Sequence, residues 1–273
     1  MQTTTNNVPK TPKSVLVLRA CNNDMSSQKG FVWPTSGSVE APDWDKVPLC
    51  GNGLHGWLHG HGNGNTSQYW DDGCKWLVVE VKSKHIVDLD GKVKFKKGNV
   101  VFCGDRKGAT DYLIANDPIA STQPVIGAFI TTGNNSTSAS SFKGTSVSGK
   151  NGTSISGYNG TSTSGNWGTS ISGDHGTSTS GHRGTSTSGL GGISTSGDYG
   201  TSTSGDYGTS ISGDYGTSTS GDGGTATSGD YGTIIISYYE HFRYYFKVGH
   251  IGKGGLKPNV AYKLNKNHNF IKA

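Results

Sequence analysis

The chain has 273 residues, 44 of them glycine, with 31% hydrophobic side chains and a formal net charge of +5. So much Gly and Ser ordinarily signals disorder, but here the residues recur in a fixed frame, and periodic sequences build repeat architectures. The charge is uneven: residues 1–136 carry 14 basic and 12 acidic side chains, 137–232 carry 3 and 6, and 233–273 carry 7 and 1. A basic end beside an acidic shaft suits a solvated cap, with contact to phosphate as the alternative. The longest early apolar run, Val15-Leu16-Val17-Leu18, is too short for a secretion signal or a membrane span. That predicts a cytoplasmic protein without a membrane partner, whose Cys21, Cys50, Cys74 and Cys103 stay reduced.

Residues 1–13, polar and carrying two prolines, read as a loose tail. Residues 14–123 have the composition of a small α+β domain. SVLVLRA from Ser14, KWLVVEV (75–81), KVKF (92–95) and NVVFC (99–103) read as strands. DRKGATDYLIA (105–115) has helical spacing, with Ala109, Tyr112, Leu113 and Ala115 available to one face. PVIGAFITTG (124–133) leads into the repeat.

From Thr137 to Gly232 the chain runs in an unbroken eight-residue frame of the form T-S-x-S-G-D-Y-G, and TIIISYYE (233–240) is a degenerate copy. Eight residues cannot enclose a core, so units must stack and pair in parallel. Two units per coil give a flat, two-sided parallel β-solenoid of 16 residues per turn and about six coils over 124–236. In that geometry Trp167, Tyr199, Tyr215 and Tyr231 share one edge as an aromatic ladder, and Tyr207 lies on the other. The third position accepts Val147, Ile155, Ile171 and Ile211 in place of Thr, whereas the second and fourth are almost always Ser. Alternation then puts the Ile-tolerant positions inside and the Ser rows outside.

The repeat resembles that of bacterial ice-nucleation proteins, whose 16-residue units also combine G-Y-G turns with Ser/Thr-rich strands; the likeness covers 137–236. The resemblance implies an ice-binding or ice-nucleating surface, for which outward T-x-T rows supply paired methyl and hydroxyl groups. With Ser outward the methyl is missing, so ice binding ranks behind other functions. The segments CGNGLHGWLHG (50–60), VDLDGKVKFKKGNVVFCGDRKGAT (87–110) and IGKGGLKPNVAYKLNKNHNFI (251–271) resemble an uncharacterised family of bacteria and their phages. Its marks are a C-G-x-G-L-H motif, a GTSTSG-type octapeptide array and an I-K-P-x-x-W/Y-Y-x-L ending. Leu256 and Ala261 stand where that ending would have Ile and Trp. The likeness implies an architecture in a bacterial cell and supplies no activity.

Three constellations have side chains capable of chemistry. Cys50, His55, His59, His61 and Cys74 lie within 25 residues, the types that hold zinc, but C-x4-H-x3-H-x-H fits no standard finger. No cofactor is therefore expected, with zinc as the alternative. Arg19, His55 and Glu80 form a candidate catalytic set, as polar groups converge in ADP-ribosyltransferase-like folds; the turns GNGLHG and GDRKGAT are not P-loops. The third is the cluster Ile234, Ile235, Ile236, Tyr238, Tyr239, Phe242, Tyr244, Tyr245 and Phe246, which joins the end of the solenoid to a terminal cap over 237–273. These residues suit a cap over an open sheet edge, or a self-association or protein-binding surface. Nucleic-acid stacking ranks behind these. The sequence thus favours a non-enzymatic binding or assembly scaffold built on a rigid solenoid. The alternatives are an enzyme or effector in residues 14–120, or an ice-nucleation-like surface.

Overall fold

The computed structural model describes residues 13–273, so the expected tail lies outside the described residues up to position 12. Two compact units divide at Gln123 and Pro124. The first is a seven-stranded antiparallel sheet with one helix. Its strands are β1 (Ser14–Cys21), β2 (Gly37–Glu40), β3 (Leu54–Leu58), β4 (Lys75–Lys82), β5 (Val87–Asp88), β6 (Val93–Phe95) and β7 (Lys97–Gly104). Their order is β2-β7-β4-β1-β3-β6-β5. The apolar runs of β1 and β4 pair along their whole lengths at the centre. One face buries Val17, Leu77, Val79, Val81 and Phe95 with Trp33 and Leu54.

Helix α1 (Arg106–Asn116) starts where Asp105 accepts the Gly108 amide at 2.7 Å. It packs on β4 and β7 through Ala109, Thr110 and Leu113. The expected apolar face is thus corrected at one position. Ala115 is exposed, and Thr110 is buried because its hydroxyl donates to the Arg106 carbonyl at 3.0 Å.

The second unit is a mostly-β solenoid of two parallel sheets, in which each residue pairs with the residue 16 positions on, as in Thr145↔Thr161 and Thr153↔Thr169. Its seven turns exceed the expected six, because Phe129–Thr131 forms a strand ahead of the octapeptides. Tyr199 lies over Tyr215, not Tyr207, as a 16-residue coil requires.

The face assignment is reversed from the sequence-based expectation. Ser at positions two and four is buried throughout: Ser146, Ser154, Ser162 and Ser170 are wholly enclosed. Ile155, Ile171, Ile193 and Ile211 point outward and are 36–45% exposed. The reason is the thinness of an eight-residue half-coil. Glycine ends each unit because a Cβ at Gly168 would sit 2.7 Å from the Ser164 Cβ and 2.9 Å from the Gly152 carbonyl oxygen. Between walls this close, Ser fits where Ile would not.

Most of the buried hydroxyls are satisfied by a repeated pair of bonds, with Ser188, Ser204, Ser210 and Ser220 the exceptions among the described residues. Ser170 Oγ donates to the Thr179 carbonyl at 2.5 Å and meets Ser164 Oγ at 2.9 Å. Ser178 does the same with Thr187 and Ser172 at 2.5 and 2.9 Å. A Ser network therefore ties the two sheets together, with each bond contributing about 1 kcal/mol net.

The turns have their own ladder. The seventh position is left-handed in every unit, with φ +61° at Trp167, +57° at Tyr199 and +56° at Tyr215. At position six, Asp198 accepts the Asp214 amide at 3.0 Å and Asp214 accepts that of Asp230 at 2.8 Å. Each carboxylate thus fixes the coil after it.

The C-terminal segment closes both open edges. Arg243–His250 turns back antiparallel on Thr233–Glu240, and Tyr262–Leu264 pairs antiparallel with Thr225–Ser228. Under them the Ser interior gives way to an apolar plug of Ala226, Ile234, Ile236, Ile251 and Tyr262.

The reversed faces make opposite demands on neighbouring positions. Ser170→Asp should destabilise the shaft by about 3 kcal/mol or more, since it buries an unpaired charge. Ile171→Asp should cost about 1 kcal/mol or less, as a substitution on a solvated strand face. Chemical denaturation of the two variants checks this; equal losses would contradict the assignment.

Candidate functional site

A Thr side chain on the outer face of a strand offers one methyl and one hydroxyl to water. In the sheet that begins with Thr137–Ala139, the outer column at position one is Thr137, Thr153, Thr169, Thr185, Thr201, Thr217 and Thr233, without interruption. The parallel column at position three runs Ala139, Ile155, Ile171, Thr187, Thr203, Thr219 and Ile235. Three successive coils, at 185–187, 201–203 and 217–219, therefore carry the full T-x-T pair. Within a coil the two columns stand ~6.7 Å apart, and successive coils repeat at ~4.8 Å. The opposite sheet also carries three full pairs, at 161–163, 177–179 and 225–227, but its four breaks, at Phe129, Val147, Ile193 and Ile211, interrupt both columns.

The edge carries a continuous stack. Tyr199 and Tyr215 lie 5.0 Å apart at 5°, and Tyr215 and Tyr231 5.1 Å apart at 14°. The Arg183 guanidinium sits 4.8 Å over the Trp167 ring and 5.3 Å over Tyr199, bridging the gap. Arg183 was not among the expected ladder residues. Its signal was its place at the seventh position, 16 residues from both neighbours.

The terminal cluster is split by the strand alternation. Ile234 and Ile236 are in the plug, while Ile235 points outward and is half-buried. Tyr238 stacks on His268 at 3.7 Å. Tyr239, Phe242, Tyr244, Tyr245 and Phe246 are exposed along the hairpin, with Phe242 in its two-residue turn.

In the first unit, Arg19 and His55 meet: Arg19 Nη1 donates to the His55 carbonyl at 3.3 Å. Glu80 does not join them. Paired with Leu16, it emerges from the other face of β4 and accepts from Ser14 Oγ at 2.7 Å. The Cys/His residues are also dispersed. Cys50 is exposed, Cys74 is half-buried, and His59 Nδ1 contacts Asp117 Oδ2 at 2.6 Å. Among the described residues no three His, Cys, Asp or Glu side chains gather as metal ligands would. No described helix is long and apolar enough to cross a membrane.

The outer architecture is therefore that of a parallel β-solenoid with water-facing Thr columns. Residues 15–112 match a family described as a domain of unknown function, DUF7666. The chain is 38% identical over 110 residues to an ice nucleation protein of Xanthomonas campestris pv. translucens, covering 39% of this chain and 7% of the relative. It is 38% identical over 111 residues to one from Pseudomonas syringae, covering 39% and 10%. It is 30% identical over 133 residues to ice nucleation protein InaU of Pantoea ananas, covering 45% and 13%. The chain thus spans only about a tenth of the length of these relatives. No solved structure matches it.

Burial, with Lys92, Arg19 and Lys94 nearby, lowers His55 from 6.5 to about 4. The unfolded chain takes up this proton near pH 6.5 and the folded unit only near 4, so stability falls as pH falls through that window. Tryptophan-monitored denaturation between pH 7 and 4.5 should show a steeper loss for the wild type than for His55→Gln. Parallel curves would contradict the placement of His55.

Proposed function

We propose that the second unit is an ice-binding, water-ordering surface, with the unbroken Thr column and its T-x-T partners as the contact face. The observation that carries this reading is the outward direction of Thr at positions one and three. A scaffold role was favoured while the Ser rows were expected outside. With Thr outside, the missing methyl is supplied, and the objection to ice binding falls away.

The physical argument rests on order and stiffness. Every second residue of each strand repeats on a flat sheet held by backbone ladders and a buried Ser network, so the methyl and hydroxyl groups keep fixed spacings. Water next to such a surface can span the methyl rows while hydrogen-bonding to the hydroxyls. The ice nucleation proteins of the three bacteria lend support by their likeness to this chain. Seven coils extend only about 30 Å, a small template. The expected activity is therefore binding to existing ice, with nucleation only under deep supercooling.

The test is ice-recrystallisation inhibition and crystal shaping by the full chain. The double variant Thr187→Lys with Thr203→Lys should lose most of the activity while keeping its melting temperature within a few degrees, because both side chains lie on the outer face. Thr163→Lys with Thr179→Lys, on the opposite sheet, should lose less. Absence of activity in the wild type, or activity retained when both sheets carry the substitutions, would overturn the reading.

A further inference from the structure

The first unit holds a cavity of about 650 Å³ that the solenoid does not use. Its wall includes Arg19, Trp33, Leu54, His55, Tyr69 and Lys92. The volume falls in the range of small-molecule sites, and its mixture of aromatic walls with a few polar groups is typical of them.

Three features of this cavity call for an anion. First, Arg19 has no acidic partner among the described residues. Its guanidinium lies 5.4 Å from the Trp33 ring and 5.6 Å from the Tyr69 ring, and it donates to the neutral His55 carbonyl. Its Nε is shielded from solvent and has no hydrogen-bond partner. A guanidinium keeps its charge in proteins, so a largely buried one without a carboxylate leaves a strong field uncompensated.

Second, the surroundings add positive charge. Lys92 lines the same wall, and Lys94 is buried beside it with its Nζ on the Leu49 carbonyl at 3.0 Å. Asp43, which lines the same cavity, is engaged by Lys29 at 3.3 Å and the Gly53 amide at 3.0 Å.

Third, the wall leaves a polar atom unmatched: His55 Nε2 is buried and has no hydrogen-bond partner among the described residues. Next to it a recess of about 20 Å³ is lined by Arg19, His55, Thr66, Ser67 and Lys92, room for about one water-sized oxygen. Arg19, Lys92 and the Ser67 hydroxyl thus converge on a volume that fits one oxygen of an oxyanion, the Thr66 hydroxyl giving its hydrogen to the Asn63 carbonyl at 2.7 Å.

We propose that this cavity binds a small phosphomonoester. Its phosphate oxygens would meet Arg19, Lys92 and the Ser67 hydroxyl, and its organic part would lie against Trp33. Two unneutralised cations match a dianion, and the cavity is larger than a bare phosphate needs. A dicarboxylate shares the chemistry, so the experiment separates the two.

Isothermal titration of the full chain at fixed ionic strength would use phenyl phosphate, inorganic phosphate and malonate as probes. Phenyl phosphate should bind with the lowest Kd. Arg19→Lys should weaken it about tenfold or more, the worth of one charge-assisted fork. Lys92→Gln, a half-buried wall residue, should also weaken it and keeps the test open if the Arg19 variant does not fold. Lys84→Gln, in a separate basic groove, should leave the Kd unchanged. No saturable binding of any probe, tighter binding of malonate than of phenyl phosphate, or equal losses from Lys84→Gln and Lys92→Gln would each overturn the proposal.

Discussion

The solenoid depends on one contact made over and over: a buried Ser hydroxyl donating to a carbonyl nine residues on, in the strand across the core. Ser154 reaches Thr163 at 2.5 Å, and Ser194 reaches Thr203 at 2.8 Å. An eight-residue half-coil gives the two sheets too little room for aliphatic side chains, and the hydroxyl is the small group that both fills the space and satisfies buried polar atoms. Because that bond occupies position two and its Ser–Ser contact position four, alternation sends positions one and three outward. The Thr columns are thus a consequence of the interior.

The other regularities guard the same spacing. Gly at the unit's end lets the coils close, Asn166, Asp174, Asp198, Asp206 and Asp214 at position six clamp their turns to the coil after, and the edge stack from Trp167 to Tyr231 adds contacts along the shaft. At the last coil the Ser network stops. Ser220 Oγ is buried without a partner among the described residues, because Ala226 stands six residues on in place of the pairing Ser. An apolar plug and antiparallel strands take over there, covering ladder edges that would otherwise recruit another chain.

Much of this was legible in the sequence. The octapeptide frame, the 16-residue coil and the sharing of one edge by Trp167, Tyr199, Tyr215 and Tyr231 follow from counting, because stacking imposes its period on the residues. The faces were not legible by the rule that aliphatic residues go inside. That rule runs one way only: an exposed Ile is ordinary, and a β-branched residue suits a pleated surface whether or not it is buried. Ile155 and Ile171 replace Thr because all three fit the outer ladder. In the first unit, residue types pointed to Arg19 and His55, which meet, but also to Glu80, which strand alternation sends to the other face. The Cys/His run failed for a related reason: short sequence spacing does not bring side chains together across Gly-rich turns.

The central claim is that Ser is enclosed and Thr faces ordered water. High-resolution diffraction from crystals of the full chain tests it most directly. The account predicts a file of waters in the trough between the Thr185/Thr201/Thr217 and Thr187/Thr203/Thr219 columns, repeating once per coil, with Ser Oγ atoms bonded to carbonyls inside. Thr side chains turned into the core, or a trough whose waters do not repeat with the coil, would contradict it.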